Sequence, residues 1–427
     1  MSLKEQVRQR IAEPVVLRFY QWRGDPIARL LRPETKADPY ALYAGVRARG
    51  LVRSQLGAWI TASHPTVETI LRDRRFSSSP VHQKGYRPPA YPDGDPRAEL
   101  PEADMLTMDP PDHTRLRRLV SSGFTPRAVA AMEPWIRDTA GRLLAQTICA
   151  AESGGTADFD LIDALAFPLP IAVICHLLGV QAEDQAKFRV WGHAVAATLE
   201  PVMSPSAETE KRAAELALTA YLRDLVAKRR ADPDDSLLSA LVALEEDGDR
   251  LSTGELISTA LLLLVAGFET TVSLIGNGTV ALLAEPGQWE RLGQDPALVP
   301  GAVEELLRYD SPVQMTSRTA TEDIEVEGTV IRKGTAVLVS IGGANRDPSV
   351  FDEPDRLVLD RPNAERHLSF SFGIHRCLGA ALARLEGRIA FEELTRRCPR
   401  LELAGTPVRR PFLILRGYES VPVRRLP

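Results

Sequence analysis

The segment with the most distinctive chemistry is residues 370–379, FSFGIHRCLG, which carries Cys377. A glycine-bearing loop brings this cysteine to the start of a helical run, LGAALAR. Backbone N–H groups and the helix dipole at such a position favour the thiolate, the form of cysteine that binds metals. A lone cysteine is more often a small buried core residue, so Cys377 by itself leaves both interpretations open.

A second unusual segment is AGFETT, residues 266–271, in the middle of an apolar stretch. Glycine inside a helix costs about 1 kcal/mol relative to alanine, and a buried carboxylate costs several kcal/mol more unless it is paired. In one interpretation Glu269 is a structural residue that caps, pairs or faces a water pocket. In the other, Glu269 and Thr270 deliver protons, and Gly267 makes room for a ligand. The segment alone does not distinguish them.

The cysteine segment matches a known pattern at five positions, which are Phe370, Gly373, His375, Cys377 and Gly379. It resembles the haem-binding signature of the cytochrome P450 family, and further motifs of that family occur in the right order along nearly the whole chain. The resemblance implies haem b as the cofactor, with Cys377 as the proximal iron ligand. A thiolate ligand to haem iron favours O–O cleavage.

Other motifs extend the resemblance to the residues around the haem. The segment DPPDH, which ends at His113, is followed by Arg117 and looks like the start of the family's C helix. Their i,i+4 spacing puts both side chains on one helix face. The family places further partners of the haem propionates at the positions of Arg318 and His375. The resemblance therefore implies that these four residues hold the propionates.

A structural motif of the family is also present. Glu305 and Arg308 are similar to the family's Glu-x-x-Arg lock, and Arg356, in the segment PDR, matches the third member of a structural triad near the haem loop. An i,i+3 ion pair is common and by itself contributes little. We assign this group to folding and not to chemistry.

The resemblance implies a monooxygenase that inserts one oxygen atom from O2 into its substrate. Dioxygen would bind in the groove beside Ala266 and Gly267, and Thr270, supplied with protons through Glu269, would promote O–O cleavage. The sequence shows no flavin-binding or iron–sulfur module. Electrons would therefore come from NAD(P)H through a ferredoxin reductase and a ferredoxin. A basic face for such an acidic partner is suggested by Arg115, Arg117, Arg118 and Arg376.

The expected substrate is lipophilic, because the positions that would line the pocket are mostly apolar. They are the 80–104 loop, Leu263, Ala266, residues 313–316 and residues 412–415. We favour hydroxylation or epoxidation of a natural product such as a macrolide or other polyketide, with a fatty-acid hydroxylase as the alternative. Two further classes stay open: a haem-thiolate enzyme that does not monooxygenate, and a non-catalytic haem sensor.

The elements that must position these residues are mainly helical. A capping box, Ser252 with Glu255, begins a helix that runs to the stop before Pro286, over 252–285. Strand-like segments such as 58–61, 324–326 and 335–340 form a small β-rich part, mostly in the C-terminal third. The Pro- and Gly-rich segment 80–104 predicts a mobile substrate-access loop. The sequence predicts one domain over 1–427 with the P450 fold.

Composition and charge narrow the functional class. Lys and Arg number 52 and Asp and Glu 57, a net charge of −5, which argues against nucleic-acid binding. Four cysteines in 427 residues do not make a disulfide framework and fit a reducing cytoplasm. The N-terminus lacks the apolar core of a signal peptide, and the most apolar window is too short to cross a bilayer. We expect a cytoplasmic monomer with no membrane anchor.

Overall fold

The computed structural model of the protein describes residues 13–88, 94–100, 103–196, 200, 205–246 and 251–427. The access loop predicted over 80–104 lies partly outside the described residues. Helices dominate the described chain, as the sequence predicts. The α-helices are α1 (Glu13–Trp22), α2 (Pro26–Leu30), α3 (Pro33–Ala37), α4 (Tyr40–Arg47), α5 (His64–Arg72), α6 (Asp112–Val120), α7 (Pro126–Ser153), α8 (Pro168–Leu178), α9 (Gln185–Ala196), α10 (Pro205–Ala231), α11 (Leu237–Glu246), α12 (Thr253–Ala284), α13 (Gln288–Gln294), α14 (Val299–Tyr309), α15 (Ile341–Ala344) and α16 (Ala380–Arg397).

The strands are short and concentrate in the C-terminal third. They are β1 (Val52–Arg53), β2 (Trp59–Thr61), β3 (Phe76–Ser77), β4 (Asp158–Asp160), β5 (Met315–Ala320), β6 (Ile324–Val326), β7 (Thr329–Ile331), β8 (Ala336–Ser340), β9 (Leu401–Leu403), β10 (Val408–Arg409), β11 (Tyr418–Ser420) and β12 (Pro422–Arg425). They form a five-stranded sheet of order β1-β2-β8-β5-β3, a three-stranded sheet of order β4-β12-β9 and two pairs, β6–β7 and β10–β11. The predicted class, mainly α with a small β part, is confirmed.

The central helix α12 follows from its first turn. The Ser252 hydroxyl accepts a hydrogen bond from the Glu255 N–H (3.2 Å), and the Glu255 carboxylate accepts one from the Ser252 N–H (2.9 Å). The predicted capping box and helix are therefore confirmed. At 1.5 Å per residue, the 32 residues of α12 extend about 48 Å. The helix is long and apolar enough to cross a bilayer, but it is mostly buried in the core.

The main apolar core surrounds α12 and includes side chains of α8, α10, α14 and α16. A second cluster lies beneath the five-stranded sheet, where β5 runs antiparallel to β8 with Arg318 opposite Val337. Alternating strand residues face this cluster because the side-chain period of a strand is two. Arg318 is thus held on a central strand of a paired sheet, which fixes its backbone.

Candidate functional site

The cysteine loop, residues 370–379, has a backbone that depends on its glycine. Gly373 has a φ of +71°, and a Cβ there would lie 2.4 Å from the carbonyl oxygen of Leu71. Any side chain would therefore clash with fixed backbone. Ser371 also has a positive φ, +59°, at a position where the family frequently has glycine. The N–H of Cys377 donates to the Phe370 carbonyl (2.8 Å), which closes the loop.

The Cys377 side chain is solvent-accessible, yet protein surrounds it so closely that burial raises the pKa of its thiol. The backbone N–H of Gly379 and the guanidinium of Arg117 act in the opposite direction and lower that pKa. These two groups act in the direction that the sequence predicts for the start of a helical run, but the net pKa is raised, so the protein alone does not favour the thiolate. All four cysteines are free thiols, as expected of a chain without a disulfide framework.

Four cationic or potentially cationic side chains named from the sequence lie close together. The rings of His113 and His375 have centroids 4.3 Å apart, and Arg117 and Arg318 contribute to lowering the pKa of His375. Burial is the main cause of that shift, which brings the pKa to about 3. Burial likewise lowers the pKa of the Arg318 guanidinium to about 10. The structure thus brings His113, Arg117, Arg318 and His375 into one cluster.

This cluster contains buried ring nitrogens without hydrogen-bond partners. Both ring nitrogens of His113 and Nε2 of His375 are buried and form no hydrogen bond within the described part of the chain. Arg318 is buried too, and it donates to its own neighbours, the Ser317 carbonyl (2.8 Å) and the Thr316 hydroxyl (3.4 Å). Buried polar groups are rarely left without partners. An anion bound here would accept from the ring N–H groups and from the guanidinium groups of Arg117 and Arg318, so the cluster fits the two carboxylates of a haem.

The middle of α12 supplies the opposite side of the candidate site. Ala266 is exposed although it lies between the buried residues Leu264 and Phe268 of a core helix. The Thr270 hydroxyl donates to the Ala266 carbonyl at 3.1 Å, one turn earlier in the helix. An accessible alanine on a buried helix fits a group bound against it. Ala266 and Thr270 therefore share an accessible surface.

Gly267 has a different role from the one that the sequence suggests. A Cβ built at this position would lie 3.0 Å from Cδ1 of Ile174, a residue of α8. The space that the glycine leaves is taken by this isoleucine, so it allows α8 and α12 to pack closely. Room for a ligand is instead provided beside Ala266.

Glu269 is buried and contacts a partner that the sequence does not reveal. Its carboxylate forms an ion pair with Nη1 of Arg410, which is also buried. The partners are 141 residues apart, and Arg410 follows β10 directly. Burying both charges together offsets part of their desolvation cost. A carboxylate in an apolar helix predicts some cation nearby, but only the fold reveals which one.

The predicted Glu-x-x-Arg motif forms a closed cluster, with one correction. Glu305 accepts hydrogen bonds from Nε and Nη2 of Arg308 at 2.6 and 2.7 Å. The third member is Arg361, whose Nε donates to Glu305 at 3.0 Å. The prediction of Arg356 was wrong: its exposed side chain pairs with Glu353, and only its carbonyl accepts from Arg308.

The arginines suggested for a partner surface are partly engaged within the protein. Arg115 pairs with Glu255, the capping-box residue of α12. Arg117 donates to the Arg376 carbonyl at 2.6 Å and so connects α6 to the cysteine loop. Arg118 and Arg376 are both exposed. The side chains that retain the proposed surface role are therefore those of Arg118 and Arg376.

Comparison with known proteins gives the family. Residues 82–409 match the family model described as cytochrome P450. The chain is 42% identical over 398 residues to the vitamin D(3) 25-hydroxylase of Pseudonocardia autotrophica (90% of this chain, 93% of that protein). It is 41% identical over 407 residues to the 6-deoxyerythronolide B hydroxylase of Saccharopolyspora erythraea (91% of this chain, 96% of that protein).

The chain belongs to the cytochrome P450 family. A solved relative, ligand-free CYP164A2 of Mycobacterium smegmatis, superposes with a TM-score of 0.85 at 39% identity, covering 93% of this chain and 99% of that one. The P450 is a haem-dependent monooxygenase, which agrees with the Cys377 loop and the donor cluster around His113. The described residues hold no cluster of three or more His, Cys, Asp or Glu suited to a metal ion.

Proposed function

We propose that this P450 hydroxylates or epoxidises a lipophilic natural product of the macrolide or polyketide type. Its similarity to the 6-deoxyerythronolide B hydroxylase, 41% identity over 91% of the chain, carries the proposal. A lipophilic pocket is supported by the neighbouring wall segments: Val313 and Leu415 form a β-bridge, and the Gln314 N–H donates to the Ile414 carbonyl at 2.9 Å. Met315, Leu413 and Leu415 add buried apolar side chains.

In this proposal Cys377 holds the haem iron, and the cluster of His113, Arg117, Arg318 and His375 holds the propionates. Phe370, Gly373 and Gly379 shape the loop below the haem, while Ala266 and Gly267 belong to the helix above it. Bound haem supplies the oxygen-activating chemistry of the family. The residues of this chain bind it, exclude water from its thiolate side and deliver protons on the other side.

Proton delivery is assigned to Glu269 and Thr270. The Thr270 hydroxyl lies at the accessible surface beside Ala266, where it can pass on a proton. Glu269 is the ionisable group of the pair, and Arg410 holds its carboxylate in place. A proton relay needs both an acid and a donor at the reacting atom, and α12 provides them at adjacent positions. Arg410 acts here as a positioning residue.

Electrons are proposed to come from NAD(P)H through a ferredoxin reductase and a ferredoxin, in the cytoplasm. The exposed Arg376, next to Cys377, provides positive charge for an acidic partner. Charge complementarity mainly raises the association rate. Replacing Arg376 by Gln should therefore slow reduction of the enzyme by ferredoxin most strongly at low salt, and an unchanged rate would contradict this docking site.

The test is an optical titration of the haem-loaded enzyme with macrolactones and with medium-to-long fatty acids. A high-spin shift with the macrolactones, followed by one oxygenated product in the presence of ferredoxin, its reductase and NAD(P)H, supports the proposal. A shift with fatty acids alone would support the alternative substrate class. Failure to turn over with any ferredoxin system would favour a haem-thiolate protein that is not a monooxygenase.

A Thr270→Ala variant separates chemistry from binding. We expect it to retain the haem and the substrate-induced spectral shift but to divert reducing equivalents to hydrogen peroxide, because the proton donor is lost. The ratio of peroxide to product measures this loss of coupling. An unchanged ratio would contradict the assignment of Thr270.

A further inference from the structure

The N-terminal helix α1 exposes an apolar face. Of the eleven exposed large apolar side chains in the described residues, four lie on α1, and they include both aromatic ones. Trp22 is 80% exposed, Val15 62% and Phe19 49%, and Val16 lies beside them. Their spacing of i, i+4 and i+7 puts Val15, Phe19 and Trp22 on one face of the helix. An exposed patch of this kind marks an interaction surface.

The helix is held with this face outward. On its opposite side Leu17, Tyr20 and Gln21 are partly buried. The Gln21 side-chain amide donates to the Ala28 carbonyl (3.0 Å), and Arg32 donates to the Gln21 carbonyl (2.9 Å). The contacts with the protein thus come from one side of α1. The apolar face is not a packing surface for the described chain.

The charged residues around this apolar face indicate the kind of surface that it binds. Arg18 and Arg23 are both exposed, and the Arg23 guanidinium lies 5.8 Å from the Phe19 ring centroid. Residues 1–24 contain five Lys or Arg and two Asp or Glu, a net charge of +3, whereas the whole chain has −5. The other residues therefore sum to −8. The positive charge is local to the segment that exposes the aromatic residues.

We propose that α1 docks on the surface of an anionic lipid bilayer. Tryptophan and phenylalanine on one face, with arginines beside them, are the composition of helices that lie in the membrane interface. Basic residues near an anionic surface add to binding, and their long side chains reach the headgroups while the helix rests on the acyl boundary. The contact is peripheral and reversible, and α1 does not cross the bilayer.

The position of α1 in the chain would bring the membrane contact close to the proposed substrate pocket. The chain continues from α1 through α2 into α3, where the Lys36 ammonium donates to the Pro411 carbonyl (3.1 Å) and lies 3.6 Å from the Glu200 carboxylate. Glu200 in turn accepts from the N–H groups of Leu413 and Ile414. The docked helix would lie close to the pocket wall proposed above. This proximity to the pocket rests on the proposed function, whereas the docking itself does not.

The experiment is cosedimentation of the full-length, haem-loaded protein with vesicles, without substrate. Vesicles of phosphatidylcholine alone are compared with vesicles that contain roughly one third phosphatidylglycerol. We expect binding to the anionic vesicles that high salt weakens. The Phe19→Ser/Trp22→Ser variant should bind at least about tenfold less, and Arg18→Gln/Arg23→Gln about tenfold less. A matched control, Val190→Ser, removes an exposed apolar side chain elsewhere and should bind normally.

An unchanged haem spectrum shows that each variant is folded. Absence of binding to anionic vesicles, or equal binding of the Phe19→Ser/Trp22→Ser variant, overturns the proposal. A concentration-dependent dimer that the same variant abolishes, with no vesicle binding, would assign the face to a second copy of the chain. Loss of ferredoxin binding in that variant, again without vesicle binding, would assign it to the redox partner. Since substrate is absent, these outcomes do not depend on the proposed function.

Discussion

Two buried glutamates, Glu305 and Glu269, both form ion pairs with arginine, but the two pairs differ in how completely their polar atoms are hydrogen-bonded. The Glu305 carboxylate accepts from Arg308, from Arg361 and from the Val358 N–H (2.9 Å), so both oxygens have several partners. The Arg308 guanidinium in turn donates to three backbone carbonyls. Arg410, which holds Glu269, leaves its buried Nε without a partner in the described residues.

This difference supports a structural role for the Glu305 cluster and a functional role, proposed above, for the Glu269–Arg410 pair. A fully satisfied buried network fixes the segments that it joins, because breaking any bond leaves a charge or dipole unpaired. An incompletely satisfied pair at similar burial is more costly to maintain, and such groups concentrate at functional sites. Glu305 therefore locks the chain near the cysteine loop, whereas Glu269 is the carboxylate to which we assign proton delivery in the proposed function.

The largest expected effect comes from opening the closed cluster. Glu305→Gln should lower the free energy of unfolding by about 3–5 kcal/mol, because Arg308 and Arg361 become uncompensated buried charges. Denaturant unfolding of the haem-loaded protein, together with the haem content of the purified variant, measures the loss. A decrease below about 1 kcal/mol would show that the cluster does not lock the fold.

Breaking the Glu269–Arg410 pair should have a smaller effect on stability, together with an effect on the coupling of NAD(P)H consumption to product formation. Arg410→Gln should lower the free energy of unfolding by about 2–3 kcal/mol, since it leaves the Glu269 charge buried. The double variant Glu269→Gln/Arg410→Gln should be less destabilised than the sum of the single variants. Both variants should produce more peroxide per NAD(P)H consumed. Additive destabilisation, or intact coupling, would contradict the pairing or the role of Glu269.

A third buried carboxylate, Glu386 on α16, extends the comparison to a group that burial leaves protonated. Burial raises its pKa from 4.5 to about 8, and its Oε2 has no partner in the described chain. The folded state therefore binds a proton that the unfolded state has lost between these two values, so this group makes stability fall as pH rises through that window.

The wild-type protein should lose about 2–3 kcal/mol from this group between pH 5.5 and pH 7.5. Glu386→Gln removes the titration and should flatten that part of the stability profile, measured by denaturant unfolding at several pH values. An identical profile for the two proteins would show that Glu386 is ionised in the fold.

The smallest effect is expected at Arg356, whose side chain is 67% exposed. Arg356→Ala should change the free energy of unfolding by less than about 0.5 kcal/mol, because an exposed ion pair contributes little. The same measurement on Arg361→Ala provides the contrast, since Arg361 donates to Glu305 from a buried position. Equal losses in the two variants would remove the distinction between the arginines.

What could be predicted from the sequence follows the range of the interactions. The capping box, the Glu305–Arg308 pair and the cysteine loop depend on residues a few positions apart, and family motifs brought His113, Arg318 and His375 together. Arg410, Arg361 and the Ile174 side chain that fills the space beside Gly267 were not predicted. Each depends on which distant segments pack together, and a single sequence does not contain that information in a local pattern.

One glutamate serves two elements at once. Glu255 completes the capping box of α12, and it also binds Arg115 on α6, the helix that carries His113 and Arg117. The start of the helix above the ligand and the helix beside its carboxylates are therefore tied to each other before any ligand arrives. Preorganisation of this kind lowers the entropy lost on binding. The Arg115–Glu255 ion pair thus helps to fix the position of α6 relative to the start of α12.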